Sequence, residues 1–437
     1  MIGKFFATGS LLIALGLLNT SYADSARNQA NNMLLERGWI SGPNTRNDGS
    51  EFFVAIGTAT IGQSAGSTGF VSARQSAFDR AMLEAKAELL KFQQLEISRN
   101  VTSFFIEPSD TQERARINEI RKQGFVLEAA KATASAAATD IADLSELQTG
   151  SVLANQAQLL IIQQADNALR ELGLDPSKPV AEQEIQKILS QEQFSRMVTQ
   201  SARGELRGMM AFQVFENVPK GEKGEIAVVG ISSQRLSQLA GSLFDGKSVD
   251  APLDLKSLIS KIPDEDQLPY TFGVQMAKDS SGVPVLIAFA QAEPRTSSTR
   301  SLQSASAKAQ LLANGMIRSF AGEQMAMSDQ EITNEINTEL SNGVTVADLD
   351  ASFEQRREAF ASAMQIKGLT TLKEWDSLHP ETNQPIAGVV VAWAPQTAGF
   401  AGLINRQQQV APTSSSNKSK ATESSYSGTG AAASDDF

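Results

Sequence analysis

The 437-residue chain predicts an α+β protein built from two β-α-β-β modules with long helical insertions and a disordered C-terminal tail. Three observations carry that prediction. Short β-rich runs occur in two distant places, each followed by a helix with alanine along one face. Each half ends in two further β-rich runs around a polar turn, the mark of a hairpin. The composition, 41% hydrophobic and 20% charged, belongs to a folded chain able to fill a core.

The elements follow in order. Lys4 precedes an apolar run from Phe5 to Leu18, and Ser21 and Ala23 stand where a signal peptidase reads small side chains. The run is about 14 residues, short of the ~20 that a membrane-crossing helix needs. Residues 1–23 therefore read as a signal peptide cleaved after Ala23, and the chain is expected to be periplasmic or extracellular. Its Ala/Gln/Ser-rich style points to a Gram-negative bacterium, and no later stretch reaches spanning length. Residues 24–50 read as a polar leader with one short helix.

The first module is expected over 51–243. Residues 52–59 form its strand, and a Gly/Ser loop from Gly62 to Gly69 follows. A helix runs from Ser72 to Phe92, with Ala77, Ala81, Ala85, Leu89 and Phe92 on one face. Residues 107–205 form a helical insertion punctuated by Pro108, Pro176 and Pro179, in which Ile162, Ala165, Leu169 and Leu172 show a short heptad spacing. The hairpin pairs Met209–Phe215 with Glu225–Ile231 around Pro219–Gly224. A linker over 244–270 holds Pro252, Pro263 and Pro269 with the acidic knot Asp264-Glu265-Asp266.

The second module is expected over 271–404, with a strand at Val283–Ala292 and a helix from Thr299 to Phe320. A smaller helical insertion at 321–367 carries Met325, Met327, Ile332, Ile336 and Leu340, then Phe353, Phe360 and Met364. The hairpin pairs Leu369–Trp375 with Ile386–Trp393 around His379–Asn383. Beyond Asn405 the Gln/Ser/Thr/Ala/Gly-rich tail cannot bury a core. The two halves align as Val54–Ala59 against Ile287–Ala292, and Ala85–Leu90 against Ala307–Leu312.

This arrangement, an exported chain with a small-residue strand, an alanine-striped helix and a Val-rich hairpin, resembles a family of Gram-negative outer-membrane lipoproteins and flagellar outer-ring and basal-disk proteins. The resemblance covers residues 52–92 with 208–232 and 283–320 with 368–394. It implies a scaffold that assembles into rings or sheaths, associated with the outer membrane peripherally through partners, and it supplies no catalytic residues. The chain departs from the family in having no lipidated Cys and in its helical insertions.

Charge and composition exclude several chemistries. The balance is 38 Lys+Arg against 49 Asp+Glu, a net charge of −11, which disfavours nucleic acid as a partner. With no Cys and one His, thiol catalysis and disulfides are out, and the usual zinc, haem and iron–sulfur ligands are nearly absent. His379 reads as a solvent-exposed turn residue. Asp348-Leu349-Asp350 begins like a calcium loop but lacks the glycine and glutamate such a loop needs, with Phe353 and Ala359 in those places. Gly57, Gly62, Gly66 and Gly69 lack phosphate-loop spacing. Trp375 and Trp393 read as core or cross-strand partners; Trp39 is the third tryptophan.

No catalytic, cofactor-binding or metal-binding residue is assigned, and no cofactor is expected. The function expected is that of a non-enzymatic exported scaffold of the cell envelope or surface, a homo-oligomer or the partner of an envelope protein. Two alternatives stand beside it: an exported hydrolase using carboxylates, and a periplasmic chaperone or adaptor with client-binding helices.

Overall fold

A computed structural model describes residues 25–106, 161–244, 253–328, 368–395 and 426–429, apart from 163, 177, 205, 220, 221 and 381. The expected signal peptide at 1–23, the Asp348–Asp350 segment and most of both insertions and of the tail lie outside these residues.

Before the first predicted strand the chain already has structure. Helix α1 (Ala26–Arg37) is capped by Ser25, whose hydroxyl accepts the Asn28 N–H, and it ends on Gly38 in the left-handed conformation. Strand β1 (Gly42–Thr45) pairs with β2 (Glu51–Ser64), and α2 (Phe70–Ile106) follows. After the insertion come α3 (Glu182–Leu189) and α4 (Glu192–Gly204), then β3 (Met210–Val218), β4 (Lys223–Ser233) and α5 (Gln234–Phe244). A short α6 (Leu255–Ile259) and a 3₁₀ turn (Leu268–Tyr270) lead to β5 (Gly273–Lys278) and β6 (Pro284–Ala292). Helix α7 (Thr299–Ser328), β7 (Thr370–Leu378) and β8 (Pro385–Trp393) complete the second module, and β9 (Tyr426–Thr429) lies in the tail.

Both sheets are antiparallel and share a four-strand order, β1-β2-β4-β3 in the first and β5-β6-β8-β7 in the second, with β9 added outside β3 as a fifth strand of the first. The registers agree as well. Ala55 faces Gly230 where Ala288 faces Val391, and each hairpin carries a bulge at the same place, after Ala211 and after Thr371. This is the alignment Val54–Ala59 against Ile287–Ala292 that the sequence proposes. The helical alignment does not survive. In α2 the buried stripe is Ala77, Ala81, Ala85 and Leu89, whereas in α7 it is Ala305, Ala309, Ala313 and Ile317, and Leu311 is 72% exposed. Alanine and leucine are common on both faces of a long helix, so a six-residue match fixes no phase.

Two further expectations are corrected. The stretches read as a polar leader and as a linker are part of the fold, each covering the face of a sheet opposite its long helix. Ala26, Ala30, Met33 and Leu34 of α1 pack with Phe52, Val54, Ile56 and Phe212, with Trp39 edge-on to Phe52 at 5.1 Å. On the second sheet Leu258 and Leu268, from the supposed linker, pack with Val285, Ile287, Phe289 and Val390. Residues 253–270 therefore belong to the second module as its covering segment, with Pro269 in the 3₁₀ turn. Helix α2 has 37 residues, about 55 Å at 1.5 Å per residue, and outruns its sheet. Its far end, Val101 and Phe105, packs with Ile162, Ala165, Leu169 and Phe194 in a separate helical cluster, while Leu172 is exposed.

Candidate functional site

Among the described residues, the densest gathering of buried charge lies between the modules. Helix α2 buries Phe70, Ala77, Phe78 and Ala81 against the first sheet, and Arg74 falls in the same stripe, 0% exposed. On β3, Glu216 lies between Val214 and Val218 on the face toward α2, and it too is buried. The guanidinium grips the carboxylate with both arms: Arg74 Nε donates to Glu216 Oε1 at 2.7 Å and Nη2 to Oε2 at 2.5 Å.

The rest of Arg74 reaches into the second module. Its Nη1 donates to Gln291 Oε1 on β6 at 3.2 Å, and Nη2 donates to the Pro269 carbonyl at 2.7 Å. The Gln291 amide in turn donates to the Leu268, Pro269 and Thr271 carbonyls at 3.0, 3.0 and 3.3 Å. Phe272 lies under the guanidinium, 4.9 Å from ring centre to Cζ.

His379 completes the cluster and overturns the expectation of a solvent-exposed turn residue, since it is 0% exposed. The β7–β8 turn does have the sequence of a surface hairpin, and Asn383 takes the positive φ of 51° that such a turn needs. It is buried because it docks on the Gly/Ser loop of the first module, where the Gln384 amide donates to the Ser67 carbonyl at 2.8 Å. Nδ1 of His379 accepts the Thr382 N–H at 3.4 Å, and Nε2 stands 3.6 Å from Glu216 Oε1. Phe70 meets the ring edge-on at 5.2 Å.

The electrostatics follow from these contacts. Burial works to raise the Glu216 pKa, but the Arg74 charge, with hydrogen bonds from His379 and Arg74, holds it at about 2. Burial, and then the Arg74 charge, lowers the His379 pKa against the opposing pull of Glu216, so the ring is kept neutral. Every carboxylate oxygen and three guanidinium nitrogens are engaged within the protein, which makes the cluster a joint between modules.

The glycine loop has a docking role of its own. Gly69 N–H, at the start of α2, donates to Glu293 Oε2 of the second module at 2.9 Å, so a protein carboxylate occupies the place where a helix N-terminus draws an anion. Gly57 serves close packing: a Cβ there would come within 1.8 Å of the Ala81 carbonyl oxygen. An open depression of about 440 Å³ lies beside this loop, lined by Gly62, Gln63, Ala73, Ser76, Asp79 and Arg80. Both charged residues that line it are already held, Asp79 by Gln75 and Arg80 by the Thr60 carbonyl.

Trp375 lies directly over its cross-strand partner Gly388, and Trp393 stacks on Phe244 with ring centres 6.1 Å apart, both as read from the sequence. Glu265 of the acidic knot pairs with Lys373 at 3.2 Å, and among the described residues no group of three or more acidic or His side chains is placed to hold a metal ion. Sequence reading missed Arg74, Glu216 and Gln291. A signal was present, because Arg74 continues the Phe70–Ala77–Ala81 stripe and Glu216 interrupts an apolar strand on its inner face.

Comparison with known proteins adds little about activity. Residues 150–245 match a family model described as a domain of unknown function (DUF6844), a stretch that includes α3, α4, the β3–β4 hairpin and α5. The crystal structure of a hypothetical protein from Francisella tularensis is similar at 19% identity, over 86% of this chain and 93% of that one, with a TM-score of 0.48. No curated protein matches the chain. No helix among the described residues is long and apolar enough to cross a membrane.

Proposed function

We propose that this chain is a non-enzymatic, exported component of a bacterial envelope or surface assembly, acting by self-association or by holding an envelope partner. The observation that carries the reading is the joint. Arg74, Glu216, Gln291 and His379 are the charged and polar groups concentrated at one place, and their hydrogen-bonding capacity goes into fastening two modules of the same strand order. A fastened pair of sheets with a long projecting helix suits a building block whose surfaces meet other proteins. Export rests on the signal-like residues 1–23.

Light scattering on the purified full chain, with fractionation of the expressing cells, tests the reading. The expected result is a mass several-fold that of one chain, recovered with the envelope and beginning at Asp24. A cytoplasmic monomer that retains residues 1–23 would remove it.

A further inference from the structure

Unguarded strand edges are where a sheet accepts another strand. The edges of this protein are treated unequally. β1 has four residues and contains Pro43. Beyond β1, side chains of α2 seal the outer side of β2: Glu84 accepts the Thr58 N–H and Arg80 donates to the Thr60 carbonyl, both at 2.7 Å. β7 carries Lys373, Glu374 and Asp376. The start of β3 lies against β5, where Met210 Sδ accepts the Met276 N–H at 3.4 Å.

Among the described strands, the far half of β3 is the edge left without such a guard. Phe215 and Val218 are apolar, and the charge of Glu216 is turned inward to Arg74. This edge takes β9, with Phe215 opposite Thr429, Glu216 opposite Gly428, Asn217 opposite Ser427 and Val218 opposite Tyr426.

We propose that the far half of β3 is a strand-acceptor site and that Tyr426–Thr429 of a second copy occupies it, so that copies are joined by exchanging this segment. The inference rests on the assembly reading and names its partner. Residues 396–425 separate β9 from the second module. Thirty residues at about 3.3–3.6 Å each span up to roughly 100 Å, enough to reach either the chain's own edge or a neighbour's. The same pairing forms in both cases, so exchange sacrifices no contact and is favoured as concentration rises. The contact joins an edge on one copy to a segment on the next, and its repetition generates rings or filaments.

The chain has no Cys, so introduced thiols are unique. Full chains carrying Asn217→Cys and Ser427→Cys are mixed under mild oxidation, these positions being opposite in register. A disulfide-linked heterodimer in excess of either homodimer is expected, and Ser427→Pro/Gly428→Pro should reduce the mass to that of one chain. Adjacent strand residues alternate in N–H direction, so one of the two prolines must remove a ladder bond. Val218→Cys with Tyr426→Cys serves if Asn217→Cys does not fold. No heterodimer in the mixture, with closure within one chain when both thiols are on the same molecule, overturns the exchange. In that case the mass of the unaltered chain distinguishes the two readings: a large assembly leaves the proposed function standing, and a monomer removes both.

Discussion

In the first module Gly57 and Gly230 lie beneath α2, whereas at the same register of the second module Ala290 and Val391 lie beneath α7. The strand order is the same, but the spacing between helix and sheet is set differently. A Cβ at Gly57 would strike α2 backbone, and one at Gly230 would meet Met209 Cε at 2.7 Å and Ala85 Cβ at 3.3 Å, so α2 sits on bare sheet backbone. In the second module the side chains of Ala290 and Val391 separate sheet and helix. The stripes differ too. Three residues before the first alanine of each stripe stand Arg74 in α2 and Leu302 in α7, one reaching across to the other module and one only partly buried.

That contrast can be broken experimentally, beginning at the joint. Arg74→Ala leaves Glu216 buried without its partner and should cost about 3–5 kcal/mol. Leu302→Ala, at the matching place, should cost about 1–2 kcal/mol through lost burial. Urea denaturation of both variants checks this, and equal losses would mean that Arg74 does not bind the modules together.

Acid is the next lever. Glu216 titrates near 2 in the fold against an ordinary 4.5, so its contribution, about 3 kcal/mol, is complete above pH 4.5 and is lost as pH falls toward 2. His379 adds to the same trend from higher pH. Its folded pKa lies below 6.5, so the stability of the neutral ring is complete above pH 6.5 and falls on acidification. Denaturation midpoints of the unaltered protein should decline from pH 6.5 downward and more steeply below 4.5. Glu216→Gln should flatten the lower part, and an unchanged slope in that variant would count against the assignment.

Smaller effects sharpen the comparison of the helix seats. Gly57→Ala should destabilise by about 1–3 kcal/mol, because backbone of α2 has to move. The reciprocal Ala290→Gly should cost only about 0.5–1 kcal/mol, through strand entropy and one lost methyl group. Thermal melts of the pair would show whether the asymmetry is real; similar shifts would mean that both helices tolerate the same spacing.

Much of the fold was legible because it is written locally. Alternation in Val54–Ala59 and Ile287–Ala292, and the turn residues Pro219–Gly224 and His379–Asn383, place strands and hairpins within a few residues of where they occur. The alanine stripes announce helices packed close to sheets. The phase of α7 was misread because its exposed face is also rich in alanine and leucine. The covering roles of α1 and of residues 253–270 were missed because polar and proline-rich segments look like connectors until something apolar is found beneath Leu34 or Leu258. The candidate site was almost illegible. Arg74 and Glu216 are 142 residues apart, and Arg74 and Gln291 are 217 apart, so no window of sequence contains their contact.

By itself, then, the amino-acid order determined which segments are strands and helices and that they fall into two similar sets, because apolar periodicity and turn chemistry act over a few residues. Only the tertiary structure decided which charged side chains are buried. Arg74, Glu216 and His379 leave water because partners from distant segments converge on them at the junction of the two modules, and no short stretch of sequence contains that convergence.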